Sequence, residues 1–264
     1  MAKINFKQKI KIEVTDGVLI PARDDKSLFS AWRMSFYGAI LLLILLPILS
    51  PEPYWDIIRF VPDGVLVTFL VTVLSIFFAL IIGFLVGLGR ISRFSIINLS
   101  CTIYVEVIRG IPLLVQLFYI YFALAKFVKI HDISAAIIAM SICYGAYISE
   151  IFRAGIQSIP KGQMEAALAL GLTRKQAIQK IIFPQTIRVV LPPIGNEFIA
   201  LLKDSSLVSI LAVSDLLRRG REYASTTFYY FETYTVIAII YLIMTLFFSR
   251  IVAIMEERMK PDAK

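Results

Sequence analysis

Apolar residues along the chain run in blocks about as long as a bilayer is thick, and the polar residues between them fall into short clusters. Taking about 20 consecutive apolar residues as one crossing, six segments qualify, at roughly 32–49, 62–89, 99–126, 133–152, 188–212 and 233–255. A segment that crosses lipid must satisfy its backbone internally, so each run is read as a helix. The pattern predicts an all-α, polytopic membrane helical bundle of about six transmembrane helices. The first run is short and follows a polar stretch, which is the arrangement of a signal peptide. Pro47, Ser50, Pro51 and Pro53 stand where a small-residue cleavage site belongs, so the run reads as a retained anchor.

The second run carries Ala79, Gly83 and Gly87 at four-residue spacing, a strip along one helix face that lets another backbone approach closely. Between the fourth and fifth runs lies SIPKGQMEAALALGLTRKQAIQKIIFPQ, starting at Ser158, whose punctuation predicts two short helices. Pro160 suits a first helical turn, Glu165 to Leu170 is strongly helix-forming, and Gly171 suits a left-handed cap. Thr173 and Gln176 form a T-x-x-Q capping box that starts a second helix, and Pro184 is expected to end it. The first of these helices, with small residues at 166, 167 and 169 beside Met164 and Leu168, suits either insertion into another protein's groove or a membrane-surface position.

Charge adds topology. Of the 27 Lys and Arg residues, 19 fall on one side of the alternating runs and 6 on the other, with Arg109 and Lys203 inside runs. The positive-inside rule makes the richer side cytoplasmic, together with both termini and the loop 153–187. The net charge of +8 is spread between apolar runs, not gathered in a stripe, so no nucleic-acid partner is indicated. With 58% hydrophobic residues and a mean hydropathy of +0.79, the membrane part is the protein.

An ionisable group at mid-bilayer costs about 2.5–3.5 kcal/mol on insertion scales, so each needs a partner or a purpose. Glu106 and Arg109 lie three apart, before an interruption at Gly110 and Pro112, and suit either a structural ion pair or a gating and lining role. Glu150 and Arg153 have the same spacing at a span end and are expected to pair. Asn196, Glu197, Lys203 and Asp204 follow a break expected at Pro192, Pro193 and Gly195. Glu197 and Lys203 are separated by about 9 Å of helix rise, a gap the size of an amino acid; pairing with neighbouring helices, or snorkelling of Lys203, is the structural alternative. Cys101 and Cys143 sit in apolar runs with no CxxC spacing and read as core residues.

Glu165, Ala166 and Ala167, then Gly171, then Ile181, Phe183 and Pro184, resemble the EAA loop of ATP-binding-cassette (ABC) import permeases in every spacing. The one departure is Phe183 where the family has Leu. EVIRGIPLLVQL at 106–117, GAYISEIFRAGIQSIPKGQMEAA at 145–167 and LPPIGNEFIALLKDSSLVSIL at 191–211 are similar to the polar amino acid branch of that family. The resemblance implies a five-helix core at 60–258 with coupling helices at 160–184. Residues 1–31 are then a cytoplasmic segment, 32–59 an extra helix with its outer loop, and 259–264 a tail.

It further implies a pathway for polar amino acids in a bacterial cytoplasmic membrane, with Glu165, Ala166, Ala167, Leu168, Gly171, Ile181, Phe183 and Pro184 taking force from a separate ATPase dimer. Asn196, Glu197, Lys203 and Cys143 become candidate substrate-binding residues. The implied partners are those ATPase subunits, which bind the ATP and Mg, a second permease copy or close relative, and an extracytoplasmic solute-binding protein. No cofactor is expected in this chain, which has no GxxxxGK[ST] sequence. An intramembrane enzyme is disfavoured because HExxH, a Ser/His set and facing aspartates are all missing. The remaining alternatives are a permease for another small charged solute and an ATP-independent channel.

Overall fold

A computed structural model describes residues 30–126 and 131–259. Nearly all of the predicted 1–31 segment and of the 259–264 tail lies outside the described residues. The elements, in chain order, are α1 (Ala31–Leu49), α2 (Pro51–Phe60), α3 (Pro62–Arg90), α4 (Ser95–Gly110), α5 (Leu113–Ala125) and α6 (Asp132–Gln157). They are followed by α7 (Lys161–Ala169), α8 (Arg174–Ala177), a π turn at Ile178–Ile182, α9 (Phe183–Asp204), a 3-10 turn at Ser205–Leu211, α10 (Leu216–Thr227) and α11 (Tyr230–Met259). The described residues are thus all-helical, as the apolar runs predict.

Among the described residues, α1, the stretch Pro51–Arg90, α6 and α11 are each long and apolar enough to cross a membrane. The run at 99–126 is two helices, α4 and α5, bent by 106°, and makes a fifth span if the pair is counted as one. The interruption at Gly110 and Pro112 is therefore a sharp turn. The run at 188–212 corresponds to most of α9 and its 3-10 turn. Arg188, Asn196, Glu197, Lys203 and Asp204 make this segment much more polar than the other runs.

The core forms where α3 meets α6. Ser141 Oγ donates to Ser75 O at 3.2 Å, and Gly83 and Gly87 face Ile148 and Phe152, so the two helices run parallel. A Cβ on Gly83 would stand 2.5 Å from Ile148 Cγ2 and one on Gly87 would stand 2.9 Å from Phe152 Cβ. Ala79 is fully buried, so the predicted small-residue strip is the contact itself. On the other side of α6, α9 runs antiparallel: Val190 lies at Gly155, and Asp204 meets Tyr144. Helix α11 then packs antiparallel on α9, with Val252 at Gly195 and Phe248 at Phe198.

Helix α1 lies on α11, where Trp32 Nε1 donates to Leu246 O at 2.9 Å and Arg250 sits 5.6 Å from the Trp32 ring centroid. Its remaining surface, including Leu41, Ile44, Ile48 and Leu49, is exposed as befits a lipid-facing helix. At the end of the bundle that carries α2 and α10, Arg219 pairs with Asp63 at 2.9 Å and lies 4.2 Å from the Phe60 ring centroid. Asp215 caps α10 by accepting from the N–H groups of Leu217 and Arg218. Burial pushes its carboxyl up to about 6, against the lowering effect of those hydrogen bonds.

Candidate functional site

The loop predicted to bend does so, with two corrections. Pro160 is the N-cap of α7 and not its first residue. Gly171 takes a φ of +81°, and Leu172 N donates to Ala167 O at 3.1 Å, closing α7 with a left-handed cap. Nothing lies within 4 Å of a Cβ built on Gly171, so glycine is there for its backbone and not for space. The capping box forms fully: Thr173 Oγ1 accepts from Gln176 N at 3.3 Å, and Gln176 Oε1 accepts from Thr173 N at 2.9 Å.

Pro184 does not end the helix that the box starts. The ladder widens into the π turn at Ile178–Ile182 and re-forms as α9, with Pro184 in the first turn. The extra residue of the π turn shifts the hydrogen-bond register, and at the start of α9 the missing proline N–H costs nothing. The elbow at Gly171 is thus continuous with α9.

Helix α7 packs on α8 and the π turn, and Gln185 Nε2 donates to Gln163 Oε1 at 3.2 Å, tying α7 to the start of α9. Of the paired alanines, Ala167 is buried and Ala166 exposed, beside exposed Glu165 and Leu168. Leu170 is 82% exposed. Ile181 is half-buried, while Phe183 and Pro184 are exposed. The elbow therefore presents an apolar outer face on a rigid frame.

Two cavities adjoin α9. An open one of about 870 Å³ is lined by residues including Arg188, Val189, Pro192, Pro193, Asn196 and Glu197, with Glu256 and Met259 of α11. A smaller one of about 260 Å³ is lined by Leu113, Cys143, Tyr144, Tyr147, Glu197, Ala200 and Asp204. Glu197 lines both. Asn196 lines the large cavity and Cys143 the small one, whereas Lys203 is exposed and lines neither. Its neighbour Asp204 takes the cavity position and accepts from Tyr144 Oη at 2.8 Å.

Arg109 lies 5.1 Å from the ring centroid of Tyr147, which lines the small cavity beside Glu197 and Asp204. The small cavity thus combines two carboxylates, two phenol rings and a nearby guanidinium, a set able to hold a solute that carries both ammonium and carboxylate groups. The expected break at Pro192 and Pro193 is not seen: both lie inside α9, which continues to Asp204. Prolines are tolerated there because they line an open cavity, where freed carbonyls need no helical partner.

Sequence reasoning missed Tyr144, Tyr147 and Gln116. Gln116 Nε2 donates to Ile108 O and Ile111 O, both at 2.7 Å, and so satisfies carbonyls freed by the sharp turn between α4 and α5. A glutamine four residues after a proline, inside an apolar run, is the available signal. Glu106 and Arg109 do not form an ion pair with each other. Arg109 instead lies 5.1 Å from the ring centroid of Tyr147, and Glu106 is exposed. Glu150 does pair with Arg153, and Arg90 of α3 joins them.

Residues 79–261 match the family described as the binding-protein-dependent transport system inner membrane component. The chain belongs to this family. It is a multi-pass inner-membrane permease and not an enzyme, because ATP hydrolysis in these systems resides in a separate subunit. The permease is 40% identical over 209 residues to the glutamine transport system permease protein of Escherichia coli K12, covering 78% of this chain and 95% of that one. It is 37% identical over 213 residues to the L-cystine transport system permease protein of Bacillus subtilis, covering 80% and 90%. A crystal structure of an amino acid ABC transporter with histidines superposes with a TM-score of 0.73 and 41% identity, over 80% of this permease and 97% of that chain. The methionine transporter MetNI shares the fold, with a TM-score of 0.62 at 23% identity over 76% and 98%.

Proposed function

We propose that this permease carries polar amino acids inward through the two cavities on α9, driven by a separate ATPase that grips the elbow around Gly171. The observation that carries the reading is the position of Glu197 on both cavities. A carboxylate there receives the solute's ammonium group from either cavity, while Asn196 orients it from the large one. Asp204 with Tyr144 and Cys143 complete the small one. Lys203, exposed one residue away, meets a solute carboxylate after a modest rearrangement of the span end. The named substrates of the relatives, glutamine and cystine, are consistent with a zwitterionic solute.

In this reading both termini and the elbow face the cytoplasm, and an extracytoplasmic binding protein docks at the end that carries α2 and α10. Two permease chains build the pathway. The extra helix α1 braces α11. Exposed Glu165, Ala166, Leu168 and Phe183 form the surface that the ATPase takes, and the unbroken helix from Thr173 through α9 carries its motion to Asn196 and Glu197. ATP can shift the equilibrium only through such differential contacts with the two states. The test is uptake by Glu197→Gln and Lys203→Met variants in proteoliposomes with the ATPase and binding protein. Reduced apparent affinity in Glu197→Gln is expected, and unchanged affinity in both variants would move the site elsewhere.

A further inference from the structure

Arg250 stands inside the lipid-facing surface of α11. Exposed Phe247, Ile251 and Ile254 flank it along the helix, and Ile254 lies a full turn nearer the helix end, so Arg250 is rooted about 6 Å short of the edge of the apolar surface. Because Cα–Cβ bonds tilt toward the helix N-terminus, its side chain leans back into the span and not out of it. The Trp32 ring of α1 holds it there. That ring lies 5.6 Å from the guanidinium, is pinned by the bond from Trp32 Nε1 to Leu246 O one turn deeper, and stacks on Phe36 at 5.0 Å.

The ring face attracts the charge but offers no oxygen to its five N–H donors. Among the described residues Arg250 has no ion pair and no hydrogen bond, and the Trp32 N–H is already taken by Leu246 O. Arg250 is nevertheless only partly covered. Its donors are thus open to an oxyanion that arrives from the lipid side, and the oxyanion a bilayer supplies near its edge is the phosphate of a phospholipid. Further into the span on α1, exposed Tyr37 and Leu41 offer apolar surface to acyl chains.

We infer that Arg250 and Trp32 form a headgroup site on the seam of α1 and α11 for an anionic phospholipid, whose phosphate takes the open donors of Arg250. A net negative headgroup is favoured over a zwitterionic one, because among the described residues no carboxylate pairs with Arg250 to receive an ammonium end. The site lies at the end of the bundle opposite α2 and α10, the cytoplasmic leaflet in the orientation proposed above. The family match covers residues 79–261 and so includes Arg250 but not Trp32.

The chain has two tryptophans, Trp32 and Trp55, so Trp55→Phe at the other end of the bundle leaves Trp32 as the sole fluorescent reporter. The full permease in this background is reconstituted into vesicles of phosphatidylglycerol and phosphatidylcholine, with bromine on the acyl chains of one lipid at a time. Quenching of Trp32 should show a relative binding constant about fivefold higher for phosphatidylglycerol, the usual worth of one basic residue at an anionic surface. Arg250→Gln should abolish that preference. Arg258→Gln removes the same charge two turns further along α11 and should leave it in place.

Equal quenching of Trp32 by the two lipids, or quenching by neither, would overturn the inference. So would a preference that survives Arg250→Gln. A preference lowered as far by Arg258→Gln as by Arg250→Gln would overturn it in favour of the diffuse positive field of the helix end. Arg250→Lys, which keeps the charge and loses the forked donor, should retain a weaker preference and covers the case in which Arg250→Gln does not accumulate. An unchanged preference in Arg250→Lys would overturn the bond from guanidinium to phosphate.

Discussion

Gly171 and Asp215 each occupy a place where one property of the residue decides the outcome. At Gly171 the property is conformational. With open space around it and a φ of +81°, a side chain there costs about 1–2 kcal/mol through the left-handed backbone alone. Gly171→Val is therefore expected to lower ATP hydrolysis stimulated by the binding protein in the assembled complex. Gly171→Asn should retain most of it, because asparagine tolerates that region.

At Asp215 the property is ionisation. Its carboxyl is raised from 3.8 to about 6, so the folded state favours the neutral form. That stability is fully present below about pH 4 and is lost as pH rises through about 6, a change on the order of 3 kcal/mol. Asp215→Asn should flatten the dependence of melting temperature on pH between those values, and an unchanged slope would assign it to other groups. Residues of this scale were unevenly legible in the sequence. Glu197 announced itself as a carboxylate in an apolar run. Tyr144 and Tyr147 did not, since a tyrosine in a membrane helix looks like packing until its neighbours are known. Nor could spacing say that Asp204 and not Lys203 faces the small cavity, for adjacent helix positions point about 100° apart.

At the scale of elements, the bundle depends on close approach of α3 and α6. A Cβ on Gly83 would lie 2.5 Å from Ile148 Cγ2 and 3.0 Å from Ser149 N, and the second of these is backbone that cannot move aside. Gly83→Leu is expected to lower the melting temperature of the detergent-solubilised permease by several degrees or to abolish its accumulation, whereas Gly162→Ala, in open space, should leave it unchanged. The strip Ala79, Gly83 and Gly87 was readable because small residues at four-residue spacing have few other uses in a span. The capping box at Thr173 and the left-handed glycine were readable for the same reason: local geometry fixes them within a few residues. The continuity of α9 was not. Pro184, Pro192 and Pro193 all look like stops in sequence, and each is accommodated by something non-local, a π turn in one case and an open cavity in the others. The bend between α4 and α5 was legible at Gly110 and Pro112, but its size was not, because Gln116 makes it tolerable from the following helix.

For the whole molecule, the apolar runs predicted an all-helical membrane protein, and the described residues are all-helical. What joins the two halves of the proposed mechanism is one helix. It starts at the capping box beside Gly171, passes through the π turn, and ends at Asp204, with Asn196 and Glu197 along its length. A push on the elbow and a change at the cavity are then displacements of one body. The measurement closest to this claim is solute uptake by proteoliposomes containing the permease, its ATPase and its binding protein, run against a panel of all amino acids with and without ATP. The account predicts ATP-dependent uptake of a polar amino acid that is weakened by Glu197→Gln and uncoupled from ATP hydrolysis by Gly171→Val. Uptake by the permease alone without ATP, or full coupling in Gly171→Val, would contradict it.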